Sequence, residues 1–387
     1  MERVTIIQRV LPHYRTSFFR RLRARLSERG VDLQLVYGQE WPGTVPRTTA
    51  LNEPWARRID NRYFHLRGKE LIWQPCMTLI RGSALAIIEQ STRLLVNYPL
   101  LARTSFGQGK LAFWGHGRNL QSLRPGSWSE RIKRITTLHA DWWFAYTSLS
   151  ADVVAASGFP RSRITDVQNT IDTSEFGANL DQCSDAEVSA AKETLGITGN
   201  RVGLYCGGMY ELKRLPFLME ACLVIKKIVP DFAAVFVGDG PETGVVTEMA
   251  GRHEWIHYVG PKVGRELAPY YKMASALLMP GLVGLAIVDS FVARVPLFTT
   301  DLPIHSPEIS YLANQENGIM TPPTVEAFAA IVARYLQDVD MQQRLQDGCA
   351  RSASRYTIEN MVERFSSGIE LCLGRKPLNA TSSCAAR

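Results

Sequence analysis

Short apolar runs separated by amphipathic stretches set the pattern of this chain. Val4–Val10 is the kind of run that a buried parallel strand presents. After it, Phe18, Phe19, Leu22 and Leu26 fall at helical spacing and predict a helix to about Glu28, ended by Gly30. Val31–Tyr37 is the next strand. Leu85–Glu89, Leu111–Trp114, Trp142–Ala145 and Ile164–Val167 continue the set, with helical patterns over Asn97–Ser105 and Trp128–Ala140. Strands alternating with helices predict a doubly wound parallel sheet.

Near residue 170 the pattern changes. Gln168-Asn169-Thr170-Ile171-Asp172-Thr173 is rich in turn formers, and the polar stretch to about Asn200 holds one short helix after Asp185. The alternation then resumes. Strands are predicted at Val202–Cys206, Ala233–Val237, Ile256–Val259, Ala276–Met279 and Leu297–Thr299, with a helix over Pro216–Val229. A polar helix, Ile358–Leu373, is placed to cross back to the first half. The expected fold is α/β, with two doubly wound Rossmann-like domains facing across a cleft. Residues 1–175 form the first domain, 176–198 a linker and 199–355 the second domain. Residues 356–373 form the crossover helix, and 374–387 a disordered tail. Ligands of such sheets bind at strand C-termini, so a ligand is expected between the domains.

Composition changes this picture little. Of 387 residues, 45% are hydrophobic and 21% charged, ordinary values for a globular protein. The net charge of +7 fits anionic partners without choosing among them. Part of the excess sits on the first helix, at Arg20, Arg21, Arg23 and Arg25. That face is either solvated or turned to an anionic membrane. Seven scattered cysteines and no C-x-x-C disfavour disulfides and zinc, so a reducing cytoplasm is expected. No apolar run is long enough to span a bilayer. Membrane contact would be peripheral, at the inner face.

Four loops carry candidate chemistry. Gly207 and Gly208 end a strand, and Lys213 and Arg214 follow just before a helix. Such glycines allow close backbone approach, and the cations suit a diphosphate, although a plain turn with solvated cations reads equally well. Gly238-Asp239-Gly240-Pro241 lacks the third glycine of the dinucleotide fingerprint and reads as a strand-to-helix turn, with Pro241 at the first helical position. Pro280 through Ser290 puts a glycine-bearing loop before a helix starting near Gly284 or Leu285. Its unpaired N–H groups form an anion site, and Asp289 lies one turn in, placed for ribose hydroxyls. His116 follows a strand between Gly115 and Gly117, where it would face the cleft. The sole D-x-D, Asp338-Val339-Asp340, lies far from every strand end and reads as helix-end acid, so no metal site is expected.

Together these segments resemble retaining family-four glycosyltransferases of the GT-B fold, over residues 4–365. The resemblance rests on Leu11-Pro12-His13-Tyr14-Arg15, Gln168 through Asp172, Gly207 through Arg214 and Val237 through Pro241. It rests further on Gly284 through Asp289 and on His305-Ser306-Pro307-Glu308-Ile309. It implies that Lys213 and Arg214 hold the diphosphate of a UDP- or GDP-sugar, together with the N–H groups of Gly284, Leu285 and Ala286 and the loop glycines Gly207, Gly208 and Gly238. Asp289 would bind the ribose, and His116 would face the transferred sugar. Pro12, His13, Tyr14 and Arg15 would line the diphosphate or acceptor, with Arg118 and Glu308 in support. No cofactor and no nucleic acid are expected.

Two departures stand out. Gly208 occupies the arginine position of the family's Arg-x-x-x-x-Lys. Gly281 and Asp289 occupy the glutamates of E-G-F-G-L-x-x-x-E. The expected acceptor is a glycan or lipid-linked glycan in polysaccharide or glycolipid assembly, with a soluble natural product as the alternative. Trp41, Trp55, Tyr63 and Trp73 would stack on sugars or fill the core. A catalytically silent sugar-nucleotide binder and a GT-B sugar-nucleotide epimerase are the other readings.

Overall fold

The structure, a computed structural model, describes residues 1–41, 48–66, 68–117 and 136–376. Arg118, most of the helix expected over Trp128–Ala140 and the tail beyond residue 376 lie outside the described residues. The chain divides into two units, Met1–Ile171 with Ile358–Arg387, and Asp172–Thr357.

The first unit runs β1 (Glu2–Gln8), α1 (Thr16–Glu28), β2 (Val31–Tyr37), β3 (Ala56–Arg58), β4 (Arg62–Leu66), β5 (Lys69–Trp73) and β6 (Leu85–Glu89). It continues through α2 (Asn97–Ser105), β7 (Lys110–Gly115), β8 (Trp142–Ala145), α3 (Ser148–Ala156) and β9 (Ile164–Asp166). Seven strands form one sheet in the order β3-β2-β1-β6-β7-β8-β9, every neighbouring pair parallel. β4 and β5 make a separate antiparallel hairpin. Successive side chains leave opposite faces of a strand. Val4 and Ile6 therefore join the layer of Phe18 and Leu22 from α1, while Ile7, Ile88 and Phe113 join Leu100 of α2 and Val154 of α3. Covering on both faces explains the unbroken apolar runs.

The second unit opens with α4 (Thr173–Gln182) and α5 (Asp185–Thr194). It continues through β10 (Val202–Cys206), α6 (Leu215–Ile228), β11 (Ala233–Val237), α7 (Thr243–Arg252), β12 (Ile256–Tyr258) and α8 (Ala268–Met273). After these come β13 (Ala276–Leu278), α9 (Ala286–Val292), β14 (Leu297–Thr300), β15 (Gly318–Thr321), α10 (Val325–Tyr335) and α11 (Val339–Arg355). Its six strands are parallel in the order β12-β11-β10-β13-β14-β15.

The expected linker, 176–198, is corrected. These residues fold as α4 and α5, which pack on α8 within the second unit. Asp172 and Ser184 cap the two helices, and Ser184 with Glu187 forms a capping box, so the polar residues start helices here. Pro241 also lies outside the helix it was expected to open, since α7 begins at Thr243.

The last helix, α12 (Ile358–Leu373), packs on α1. Phe365 stacks on Phe144 at 4.3 Å and meets Trp114 at 4.9 Å and Phe18 at 5.4 Å. Gly368 permits this, because a Cβ there would lie 2.5 Å from Thr165 Oγ1 and 2.7 Å from Phe144. Arg375, expected in the tail, donates to Glu2 at 2.7 Å and to the Arg29 carbonyl at 2.9 Å. Among the described residues no helix is long and apolar enough to cross a membrane.

Candidate functional site

In the second sheet the chain moves outward from β10 through β11 to β12, then restarts on the other side of β10 with β13, β14 and β15. The loops after β10 (207–214) and β13 (279–285) therefore diverge at a topological switch point, where open α/β sheets bind ligands.

Both loops are pinned. Leu282 N–H donates to the Leu212 carbonyl at 2.8 Å, and Lys213 Nζ donates to the Leu282 carbonyl at 2.6 Å. Val283 N–H donates to His305 Nδ1 at 3.1 Å, and Ser306 N–H donates to the Val283 carbonyl at 3.0 Å. With Nδ1 accepting, His305 must carry its proton on Nε2, which donates to the Thr300 carbonyl at 2.7 Å. Burial lowers the His305 pKa and keeps the ring neutral. Thr300 Oγ1 holds the Pro280 carbonyl at 2.5 Å. A loop so fixed keeps its free N–H groups in place before any ligand arrives.

Those free groups lie at the start of α9, which begins at Ala286, slightly later than the sequence predicts. The N–H groups of Gly284, Leu285 and Ala286 have no hydrogen-bond partner among the described residues. One turn on, the Asp289 carboxylate likewise accepts no hydrogen bond from a described residue. Burial raises its pKa to about 7. Two groups share its surroundings. Burial, then the charge of Asp289, pushes the Cys206 thiol up to about 12. Tyr271, on α8, has a buried hydroxyl beside the Cys206 thiol. Lys213 also acts on Cys206, and burial brings its own pKa down to about 8. Lys213, Cys206, Tyr271 and Asp289 thus form one electrostatic cluster at the end of β10. Arg214 stands in the left-handed region (φ 56°), its guanidinium 4.3 Å over Phe217 and 3.4 Å from Thr300 Oγ1.

The glycines answer to packing. A Cβ at Gly238 would lie 1.9 Å from the Gly207 carbonyl oxygen, so Gly238 serves the contact between two loops. Gly208 is exposed, with the Tyr210 ring 3.1 Å from a Cβ built there. Gly281 is hemmed in by backbone, at 2.3 Å from the Leu212 oxygen and 2.4 Å from the Lys213 carbonyl carbon. A glutamate at 281 would collide with the strip that carries Lys213. Gly281→Ala is expected to cost about 1–3 kcal/mol by overpacking. Gly244→Ala, with nothing within 4 Å on a helix, should be neutral or stabilising. Urea denaturation of the two variants compares them, and equal stabilities would contradict the packing account.

In the first unit Pro12, His13 and Tyr14 sit on the loop after β1, with His13 and Tyr14 exposed. Arg15 is buried, donates to Asn169 Oδ1 and to the Thr170 carbonyl (3.4 Å), and lies 5.4 Å over Trp114. The motifs at 11–15 and 168–172 thus meet each other. His116 is exposed, edge-on to Tyr146 at 4.5 Å.

The basic face of α1 is paired. Arg20 pairs with Glu53, Arg21 with Glu359, Arg23 with Asp32, and Arg25 with Glu28 and Glu363. Each of these four arginines has an acid partner. Glu308 is buried on a short 3₁₀ turn, Pro307–Tyr311. Asp338 caps α11 by accepting from Met341 N–H, as a helix-end acid does. Among the described residues no three His, Cys, Asp or Glu side chains converge as a metal site would require.

Two parallel α/β sheets with these strand orders belong to the GT-B fold. Solved structures share it. HepE of Anabaena, in complex with UDP-glucose, matches with a TM-score of 0.67 at 13% identity, over 96% of this chain and 100% of its own. A glycosyltransferase of Rickettsia africae matches at 0.70 and 13% identity, over 96% and 99%. The sucrose-phosphate synthase of Thermosynechococcus elongatus matches at 0.67 and 13% identity, over 97% and 100%. In sequence, residues 200–338 match the family model described as glycosyl transferases group 1. No curated protein sequence matches the chain.

Proposed function

We propose that this protein is a glycosyltransferase that moves a sugar from a nucleotide-sugar donor, a UDP- or GDP-sugar, to an acceptor hydroxyl with retention. One observation carries the reading. Three unpartnered N–H groups (284–286), a carboxylate without a hydrogen bond (Asp289) and a buried cation (Lys213) converge at the switch point, within the segment that matches the glycosyltransferase family. The UDP-glucose in the complex of Anabaena HepE supports a nucleotide-sugar donor.

As the bond between the sugar C1 and the diphosphate breaks, negative charge grows on the leaving phosphate. Fixed N–H groups and the Lys213 ammonium stabilise that charge. The acceptor oxygen forms the new bond to C1, and its proton passes to the departing phosphate. Asp289 takes the ribose hydroxyls. Arg214 supports the diphosphate, and Gly207, Gly208 and Gly238 let the loops approach it. In the first unit His116 is assigned to the transferred sugar, and Pro12, His13 and Tyr14 to the diphosphate or acceptor, by resemblance. A glycan or lipid-linked glycan is the proposed acceptor.

The experiment is calorimetry and transfer assays over UDP-, GDP-, ADP- and dTDP-sugars, with Lys213→Ala alongside wild type. Loss of this cation should cut turnover about a hundredfold. Near-wild-type turnover would remove Lys213 from the site. The backbone filling the place of a glutamate at Gly281 favours a second reading, a silent sugar-nucleotide binder. Nucleotide binding without turnover on any acceptor would select it.

A further inference from the structure

The first sheet changes character toward the start of its strands. Ile7 and Val36 lie on a face that apolar side chains cover. Earlier on β2 that same face carries Gln34 and Asp32, and the register sets Arg3 beside Asp32 and Arg57 beside Val36. β3 pairs only with Leu35–Tyr37, so the outer edge of β2 before Leu35 has no strand beside it. A cavity of about 420 Å³ opens there. Its charged lining is Arg3, Arg23, Arg57 and Asp32, and Pro54 and Trp55 form an apolar wall.

Three guanidinium groups thus meet one carboxylate. Asp32 accepts from Arg23 at 2.9 Å and from Arg3 at 3.5 Å. Arg57 is exposed and forms no hydrogen bond or ion pair among the described residues. The neighbouring acids are committed elsewhere, Glu53 to Arg20 at 3.1 Å and Glu2 to Arg375 at 2.7 Å. Gln34, also in the lining, accepts from Thr5 Oγ1 at 3.2 Å, which leaves its amide NH2 without a partner among the described residues. The Arg23 guanidinium lies 5.4 Å over the Trp55 ring and is held at the wall.

We propose that this cavity binds a small phosphate monoester, with the dianion on Arg3, Arg57 and the Gln34 amide and the carbon part against Pro54 and Trp55. Its volume falls in the range of small-ligand pockets, roughly 300–1,000 Å³. The two surplus cations match the charge of a phosphate ester above its second pKa, and guanidinium forks fit its oxygens. Arg3 stands at the start of β1, roughly 15–20 Å along the strand from the loop that holds Pro12, His13 and Tyr14. A ligand here leaves that loop clear, and the inference does not depend on the glycosyl transfer proposed above.

Calorimetry of the full chain with glucose 6-phosphate at low ionic strength tests it. A single binding event is expected at pH 8. It should weaken as salt rises, and as pH falls below about 6, where the ester takes up a proton and loses its second charge. Inorganic phosphate should bind about tenfold more weakly, because it leaves Pro54 and Trp55 untouched. Arg57→Glu should weaken the ester about tenfold or more. Asp32→Asn should tighten it about threefold or more, since the competing carboxylate is gone, whereas a merely structural Asp32 predicts the opposite sign. Thermal melts check the fold of each variant, and Arg57→Glu decides the matter if Asp32→Asn is unstable. Absence of binding would overturn the proposal. So would binding that UDP displaces or that Arg57→Glu leaves intact, which places the ester elsewhere. Inorganic phosphate binding as tightly as the ester would also overturn it, because the carbon part is then not read.

Discussion

Asp289→Asn should make the free protein more stable above neutral pH while weakening its grip on nucleotide. The carboxyl begins at 3.8 in an unfolded chain and rises to about 7 in the fold through burial. Between those values the native state holds a proton that the unfolded state has lost, so wild type loses stability as pH rises through that window. Above about 7 the penalty is complete, and roughly three pH units correspond to at most about 4 kcal/mol. Asparagine is never charged and escapes it. The gap in melting temperature between variant and wild type should therefore open between about pH 4 and about pH 7, and stay constant above. A gap of the same size at both ends of that window would mean that Asp289 ionises without cost. Binding should move the other way. If the carboxylate takes ribose hydroxyls, a nucleoside diphosphate should bind about ten- to hundredfold more weakly, measured by calorimetry. A variant that bound the free nucleotide normally and lost only the sugar would make Asp289 a sugar-reading residue.

Arg29→Met should destabilise the first unit by about 3–5 kcal/mol. The Arg29 side chain is 1% exposed at the end of α1 and pairs with Glu370, 5% exposed, on α12, and with Glu363 at 2.8 Å. Without the guanidinium Glu363 keeps Arg25, but Glu370 is left buried and unpaired. Adding Glu370→Leu should recover most of the loss, because an apolar pair of similar volume carries no desolvation cost. Urea denaturation of the single and double variants closes the cycle. A double variant no better than Arg29→Met would mean that packing, and not the stranded charge, sets the cost.

The strands inside both sheets were legible because burial on two faces leaves continuous apolar runs, as at Val31–Tyr37 and Val202–Cys206. The strands that escaped are of another kind. β3 and β15 are short sheet edges, and β4 and β5 form a detached hairpin, so none carries such a run. The loop proposed to receive the diphosphate was readable from Gly284 to Asp289 because glycine, helix start and acid lie close in sequence. Tyr271 was not, since a lone tyrosine in a short helix gives no sign of standing beside Cys206. The partners of Arg15 and of the α1 arginines were not legible for one reason: a basic run in sequence does not show which acids and carbonyls the fold will bring to it. Gly281 was visible as a departure from the family pattern, but its cause is tertiary, the backbone of residues 212–213 pressed against it.

The crossing of the chain at residues 171–172 and 357–358 also orders events during synthesis. Phe365 and its neighbours on α12 complete a core whose other walls are made from the first 171 residues. A ribosome adding about 5–20 residues per second needs roughly ten seconds or more to pass from the first segment to the last. The unit made first must wait with Phe18, Trp114 and Phe144 lacking their partner, while the inserted unit, contiguous in sequence, is free to fold as it emerges. The inserted unit should therefore mature first, and the exposed aromatic face of the waiting segment is where a chaperone would be needed.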